Sequence, residues 1–359
     1  MHLGDASFET KLKEKKEMAT EIRSTVFTVK DIMSHPNADA LEIVNALGWQ
    51  VVTQKGLHKV GDRCVYIQPD SLIPDVWAER WGVKAYLKGK EHNKVGQIRL
   101  RGEPSFGFIV GIPEGDWKDG DNVSDLFAIV KFEPPIRTSC GDAEKDHPLF
   151  PKYTDIENLR NFPHIFEAGE EVVATEKLHG TNCRIGYCNS EPMAGSMELR
   201  RKRPENEEEW KSNTYWFPFS IPAVRDMIET EGKLHKQFIV FGEVYGAGIQ
   251  KGYTYDTHSK PGFKVFDIFV DGKYLDCDEL DCKCKSYQVE MVPLLYRGPF
   301  SLETIKKIAD GPTTLGEHIR EGTVIRPVKE RRCPQVGRLV MKYLGTEYLL
   351  SKHPDAKDV

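Results

Sequence analysis

No window of the chain holds the ~20 uninterrupted apolar residues that a membrane-spanning helix requires. Its first residues, Met1-His2-Leu3-Gly4-Asp5, lack the basic start and apolar stretch of a secretory signal. The eight cysteines form no paired framework, which excludes a disulfide-stapled secreted fold and fits a reducing compartment, cytoplasmic or nuclear. Their one cluster, Cys277, Cys282 and Cys284, has no CxxC knuckle and no histidine pair at zinc-site distance. These read as thiols on a helix within 275–292, packed under a sheet. Positive charge is not in excess either, with 50 Lys and Arg against 55 Asp and Glu and a formal net charge of −5. Bulk electrostatics therefore advertise no polyanionic partner. Nucleic-acid binding would rest on local patches: residues 200–203, Lys329 with Arg331 and Arg332, and the stretch 84–101. Each of these serves equally well as a solvated face.

What is present is the composition of a water-soluble globular protein, 39% hydrophobic and 29% charged, long enough at 359 residues for two domains with separate cores. Residues 8–22 predict a short charged helix inside an N-terminal extension, 1–22. From Thr25 to Leu126 short apolar runs alternate with turns. Val26-Phe27-Thr28-Val29, Leu41-Glu42-Ile43-Val44, Trp49-Gln50-Val51-Val52, Arg63-Cys64-Val65-Tyr66-Ile67, Gln97-Ile98-Arg99-Leu100-Arg101 and Gly107-Phe108-Ile109-Val110 each read as a strand. A helical or irregular insertion lies between, at 75–88. Five or six strands at this spacing predict a small Greek-key barrel over 23–130, and the passages VGDRCVYIQPDSLIP and RLRGEPSFGFIVGIPEG resemble OB modules that bind RNA. The alternative is an SH3-like barrel with a packing role. Residues 131–147, with Pro134 and Pro135 and few apolar side chains, read as the linker. After a predicted short helix at 153–161, strands and helices alternate through 148–359 without βαβ regularity, as in an α+β domain.

Within that second domain the stretch Ala174-Thr175-Glu176-Lys177-Leu178-His179-Gly180-Thr181-Asn182 places a lysine at the end of an apolar strand, followed by a turn with a glycine. Gly180 lets backbone approach a phosphate with no Cβ in the way. Alone, Lys-x-x-Gly occurs by chance. The segments that follow it in order give it weight: 195–203, a strand carrying Arg200, Arg201, Lys202 and Arg203; FIVFGEVYG, an apolar strand with Glu243 between two glycines; FKVFDI, with Phe266 beside Asp267; EGTVIRP, opening on Glu321; and LVMKY, with Lys342 inside an apolar strand.

As an ordered set these segments resemble the nucleotidyltransferase motifs of the covalent lysyl-nucleotide superfamily: RNA ligases, DNA ligases and mRNA capping enzymes. EKLHGTN, FGEVYG, FKVFDI and EGTVIRP are most similar to ATP-dependent RNA ligases of the double-strand-sealing type. DNA ligases and capping enzymes more often carry Asp where His179 stands. They also place their OB domain after the last motif, whereas 17 residues follow Lys342 here. The resemblance implies an N-terminal OB barrel followed by an adenylyltransferase domain (an ATP-grasp-like ligase nucleotidyltransferase) of antiparallel sheets with flanking helices. It implies catalysis by Lys177 and Lys342, and ATP contacts from Glu176, Lys177, Asn182, Arg200, Arg203, Glu243, Phe266, Glu321 and Lys342. Glu176 would read the adenine edge, Phe266 stack on the base, and Glu243 or Asn182 meet the ribose or phosphate. Mg²⁺ or Mn²⁺ would be held by Glu243, Glu321 and Asp267. The last motif often has two lysines one residue apart, and Lys342 stands alone.

The residue types fit this chemistry on their own account. A nucleophilic lysine must be neutral, and lysine suits the task because desolvation near other cations lowers its pKa readily. Transfer of the α-phosphate of ATP needs charge neutralisation, supplied by Lys342, an arginine of 200–203 and a hard cation on carboxylate oxygens. The expected function is an RNA ligase, a monomer, that joins 3′-OH and 5′-phosphate ends of nicked or broken RNA through lysyl-AMP and adenylylated RNA. The alternatives are a polynucleotide ligase acting on DNA, and a non-catalytic OB-fold RNA-binding protein with a degenerate nucleotidyltransferase domain.

Overall fold

A computed structural model describes residues 24–132, 142–257 and 260–350. The expected helix at 8–22 and the middle of the expected linker lie outside them. The chain divides into two compact units, 1–134 with 160–163 and 349–359, and 135–159 with 164–348. Residues 160–163 belong to the first unit for a visible reason. The Arg160 guanidinium lies over the rings of Trp49 (5.0 Å) and Phe106 (5.7 Å), and Trp49 Nε1 donates to Asn161 Oδ1 at 3.3 Å.

The first unit consists of short antiparallel strands: β1 (Ser24–Thr28), β2 (Ile32–Ser34), β3 (Leu41–Ala46), β4 (Trp49–Gln54), β5 (Arg63–Ile67), β6 (Ser71–Leu72), β7 (Gln97–Leu100), β8 (Glu103–Phe106), β9 (Phe108–Gly111) and β10 (Val130–Lys131). They pair in the orders β1-β5-β9, β2-β3-β4, β7-β8 and β10-β6. Val26, Val65, Ile67, Val110 and Phe127 form the core, and Trp77 of the short helix Asp75–Arg80 and Trp81, which follows it, pack on that core. The strand pattern of the sequence is recovered, and β2, β6, β8 and β10 are additional.

The second unit holds two sheets. One has seven strands in the order β11-β16-β15-β14-β17-β18-β19: β11 (Ala143–Glu144), β14 (Thr181–Cys188), β15 (Glu191–Ser196), β16 (Arg200–Arg201), β17 (Gln237–Gly246), β18 (Pro261–Val270) and β19 (Lys273–Tyr274). The other has five in the order β12-β24-β21-β13-β20: β12 (Glu157–Asn158), β13 (Glu171–Lys177), β20 (Leu294–Pro299), β21 (Gly322–Pro327) and β24 (Met341–Leu344). A two-stranded ribbon, β22 (Arg332–Cys333) and β23 (Gly337–Arg338), lies between β21 and β24 in sequence. All ladders are antiparallel except β12 with β24. Helices cover one face of the larger sheet. Pro222 starts Pro222–Leu234 at the position where a missing N–H costs nothing, and Val224, Met227 and Ile228 turn one stripe inward. Cys277–Ser286 starts on a capping box made by Asp276 and Glu279 and directs Leu280 and Cys284 into the same core.

Two expectations need correction. Residues 153–161 form no α-helix: they end in the two-residue strand β12 and a 3-10 turn, Leu159–Asn161, because pairing with β24 draws the chain out. The strand expected over 195–203 is a hairpin, with β15 ending at Ser196 and β16 confined to Arg200–Arg201. Among the described residues no helix is long and apolar enough to cross a membrane.

Candidate active site

Lys177 is the last residue of β13, which runs between β20 and β21 and buries Val172 and Ala174 on the way. Its Nζ lies 2.5 Å from Oε1 of Glu321, the residue just before β21. After a short turn the chain re-enters as β14 against β17, which sets Asn182 opposite Glu243. Gly180 is obligatory in that turn. A Cβ there would lie 2.3 Å from the carbonyl oxygen of Val244 and 3.0 Å from Cγ of Glu243. The Gly180 N–H donates to the Glu243 carboxylate.

This arrangement sets the charges. Burial pushes the Glu243 carboxyl up to about 8, with Lys177 opposing and Glu321 adding to the rise. Burial would also raise Glu321, but Lys177 and His179 hold it below the usual carboxylate range. Burial pulls the Lys177 ammonium down, and the Glu321 and Glu243 carboxylates outweigh it and hold the group above the ordinary lysine value. Its strongest charged neighbours are the acidic groups Glu321 and Glu243 and not the cations the sequence suggested.

Register assigns the remaining residues. Lys342 on β24 is opposite Val324, and Val324 is opposite Thr175, so Lys342 shares the sheet face of Thr175 and Lys177. Arg200 is opposite Gly195, Gly195 opposite Arg184, and Arg184 opposite Phe241, which puts Arg200 on the face of Glu243 and Asn182. There its guanidinium pairs with Glu144 at 3.0 Å. Oδ1 of Asn182 is buried with no hydrogen-bond partner. A one-residue bulge in β18 leaves Phe266 without a partner on β17. It brings Phe266 and Asp267 to one face, where Phe266 is half-buried and edge-on to Tyr153 at 5.0 Å.

Three of the expected site residues are placed elsewhere. Glu176 points away from Lys177, as alternation along a strand demands, and its carboxylate is consumed. It accepts from Thr313 Oγ1 and from Thr314 N and Oγ1 (3.0 and 2.7 Å), with Arg320 Nε at 3.6 Å, so it anchors the 313–320 loop. Asp267 is fully buried, with its oxygens on Arg326 (3.1 Å), Arg338 (2.7 Å) and the Tyr153 hydroxyl (2.8 Å). Its charge is matched by two guanidinium groups. Arg203 is exposed, with its guanidinium over the Trp210 ring at 5.4 Å. The sequence reading gave His179 no role. Its Nδ1 stands 3.2 Å from Oε2 of Glu321 and 3.1 Å from the Tyr348 hydroxyl, and its ring packs on Tyr253 at 4.5 Å. Its signals in sequence were its place two residues after the lysine and the Asp that DNA ligases and capping enzymes more often carry there.

Among the described residues no three His, Cys, Asp or Glu side chains converge to hold a metal by themselves. Glu243 and Glu321, brought together around one ammonium, offer two hard oxygen donors. That is the set with which a protein holds Mg²⁺ or Mn²⁺ when water and phosphate oxygens complete the shell.

A family model for RNA ligase matches residues 170–344, and one for an OB-fold domain matches 23–112. No curated protein matches. Among solved structures, a Naegleria gruberi RNA ligase variant with ATP and Mn is 26% identical, with a TM-score of 0.72 over 90% of this chain and 97% of that one. The same ligase with PPi is 26% identical, with a TM-score of 0.71 over 90% and 97%. A further variant, apo, is 25% identical, with a TM-score of 0.72 over 92% and 98%. With both domains matched in this order, the chain belongs to the RNA ligases that carry an OB-fold domain ahead of the ligase domain.

Proposed function

We propose that the protein is an ATP-dependent RNA ligase that adenylylates itself on Lys177, passes AMP to an RNA 5′-phosphate, and joins the RNA when a 3′-OH displaces AMP. The observation that carries this is the half-buried Lys177 amine at a strand end, 2.5 Å from the Glu321 carboxylate and close to the Glu243 carboxyl, in a chain similar to RNA ligase structures with ATP and Mn, with AMP and Mn, and with PPi. In the first step Nζ of Lys177 forms a bond to the α-phosphorus of ATP, the bond to pyrophosphate breaks, and the product is a phosphoramidate. For that the amine must be neutral, which the adjoining Glu321 carboxylate opposes. A divalent cation bound on Glu243 and Glu321 would neutralise them and the phosphate charge. Lys342 and Arg200 are cations on the two sheet faces that carry Lys177 and Glu243, suited to the phosphates. Asn182 Oδ1, buried and unpaired, is an acceptor suited to a ribose hydroxyl. Phe266, half-buried and apolar, supplies a surface for the base.

Incubation with α-labelled ATP, and separately with α-labelled GTP, followed by denaturing electrophoresis tests the reading. Labelling is expected with ATP and a divalent metal, stable to alkali and broken by acid. It should be lost in Lys177→Met and in Lys177→Arg, since a guanidinium cannot be deprotonated. Labelling by GTP instead would make the protein a capping-type enzyme, and undiminished labelling of the variants would move the nucleophile elsewhere. The matched relatives are RNA ligases, which favours RNA over DNA as the strand that is sealed. The nicked duplex is the substrate to try first.

A further inference from the structure

We infer that Tyr255 and Gln250, which lie outside every motif, are positioning residues that hold the turn after Lys177 in the geometry needed for attack; this rests on the reading of Lys177 as nucleophile. The turn has backbone groups that neither flanking strand satisfies. Three contacts take them up, all from β17 or the loop that follows it. The His179 N–H donates to the Tyr255 hydroxyl at 2.6 Å, Gln250 Nε2 donates to the Gly180 carbonyl at 2.8 Å, and the Gly180 N–H donates to Glu243. Strand β17 therefore supplies a carboxylate of the site, and its following loop clamps the turn that carries the lysine.

Tyr255 is itself held on several sides. It is 4% exposed, its N–H donates to His318 Nε2 at 3.2 Å, and its ring meets His318 (4.5 Å) and Tyr245 (5.3 Å) edge-on. The backbone at Tyr255 and Asp256 is left-handed, with φ of 50° and 53°. Non-glycine residues take this conformation when their surroundings impose it, and such strain clusters at functional sites. Packing alone asks for an aromatic ring at this position. The hydroxyl is needed for the His179 N–H, two residues from the nucleophile, where a displacement of about 1 Å lowers a rate on the order of a hundredfold.

Tyr255→Phe keeps the ring and removes only the acceptor, while Gln250→Ala removes the second clamp from a different side chain. Single-turnover labelling by α-labelled ATP is expected to slow about tenfold in each, the size of one lost positioning hydrogen bond. The KM for ATP should stay within about twofold of wild type. Sealing of a pre-adenylylated RNA nick should proceed at the wild-type rate, since that step no longer requires Lys177 to attack. A merely structural role would slow both reactions together, and that result overturns the inference, as does labelling at the wild-type rate. If Tyr255→Phe does not fold, Gln250→Ala carries the same comparison. Wild-type protein that labels while Lys177→Met does not keeps the reading of Lys177 intact whatever the two variants do. Absence of label on the wild type would overturn that reading and the inference with it.

Discussion

At the scale of single residues, neighbours in sequence have opposite fates. Glu176 and Lys177 are consecutive, yet one anchors a loop behind the sheet and the other faces Glu321. Phe266 and Asp267 would be separated by the same alternation, and a bulge unites them. Asp267 is the residue whose chemistry sequence could not place. An acid beside an aromatic in an apolar strand resembles a metal donor, but Arg326 and Arg338 approach from distant segments and pair with both its oxygens. Removing one member of a buried ion cluster leaves uncompensated charge, at a cost of about 3–5 kcal/mol. Asp267→Ala is accordingly expected to lower stability by that amount in denaturant unfolding. The fraction that folds should show a wild-type dependence of self-labelling on Mn²⁺ concentration. A raised metal requirement in folded protein would return Asp267 to the metal site.

At the scale of elements, the placement of β13 decides the site, because its last residue is the nucleophile. Its entry is pinned by Arg331, which donates from Nε and Nη2 to the two oxygens of Glu170 at 2.6 and 2.7 Å and also reaches the Ile165 carbonyl. Burial would raise the Glu170 carboxyl. Its bonds from Arg331 and from the Glu167 N–H hold it below the usual range. A carboxyl depressed in the folded state contributes stability that is present above its unfolded pKa and is lost as pH falls through the folded value. Glu170→Gln should therefore be less stable than wild type at pH 7, by about 1.5–3 kcal/mol for hydrogen bonds to a charged group. The difference should begin to shrink below about pH 4, as the carboxyl of the unfolded chain protonates, and be lost at the lower pH where the folded carboxyl protonates too. Thermal melts across that window check it; a difference independent of pH would mean that the pair acts through packing.

At the scale of the whole molecule, the division of labour between the units is the open property. A fragment starting near Asp142 would separate residues 160–163 from Trp49 and Phe106, their partners in the first unit, so truncation would confound folding with function. Substitution avoids this. Lys90, Arg99 and Arg101 are exposed on the loop before β7 and on the β7–β8 hairpin, within the basic stretch noted in the sequence. Replacing all three by alanine should weaken RNA binding and flatten its salt dependence by up to about three units, one per lost phosphate contact, with self-labelling unchanged. An unaltered salt slope would leave the barrel a packing module.

The sequence by itself determined the elements and the chemistry of their ends. Short apolar runs between turns became the first unit's strands, and the ordered motifs placed Lys177, Glu243, Glu321 and Lys342 at strand positions that the structure places around one locus or on the sheet faces that carry it. This was legible because strand period and motif order are local properties of a chain. Which face each side chain takes, and which charges meet, was decided only by tertiary structure. Those outcomes depend on register between strands distant in sequence, on one bulge in β18, and on guanidinium groups arriving from the ribbon β22–β23 and from β21. The clamp on the nucleophile's turn was illegible for the same reason: Tyr255 lies 76 residues from the His179 N–H it accepts, and no periodicity connects them.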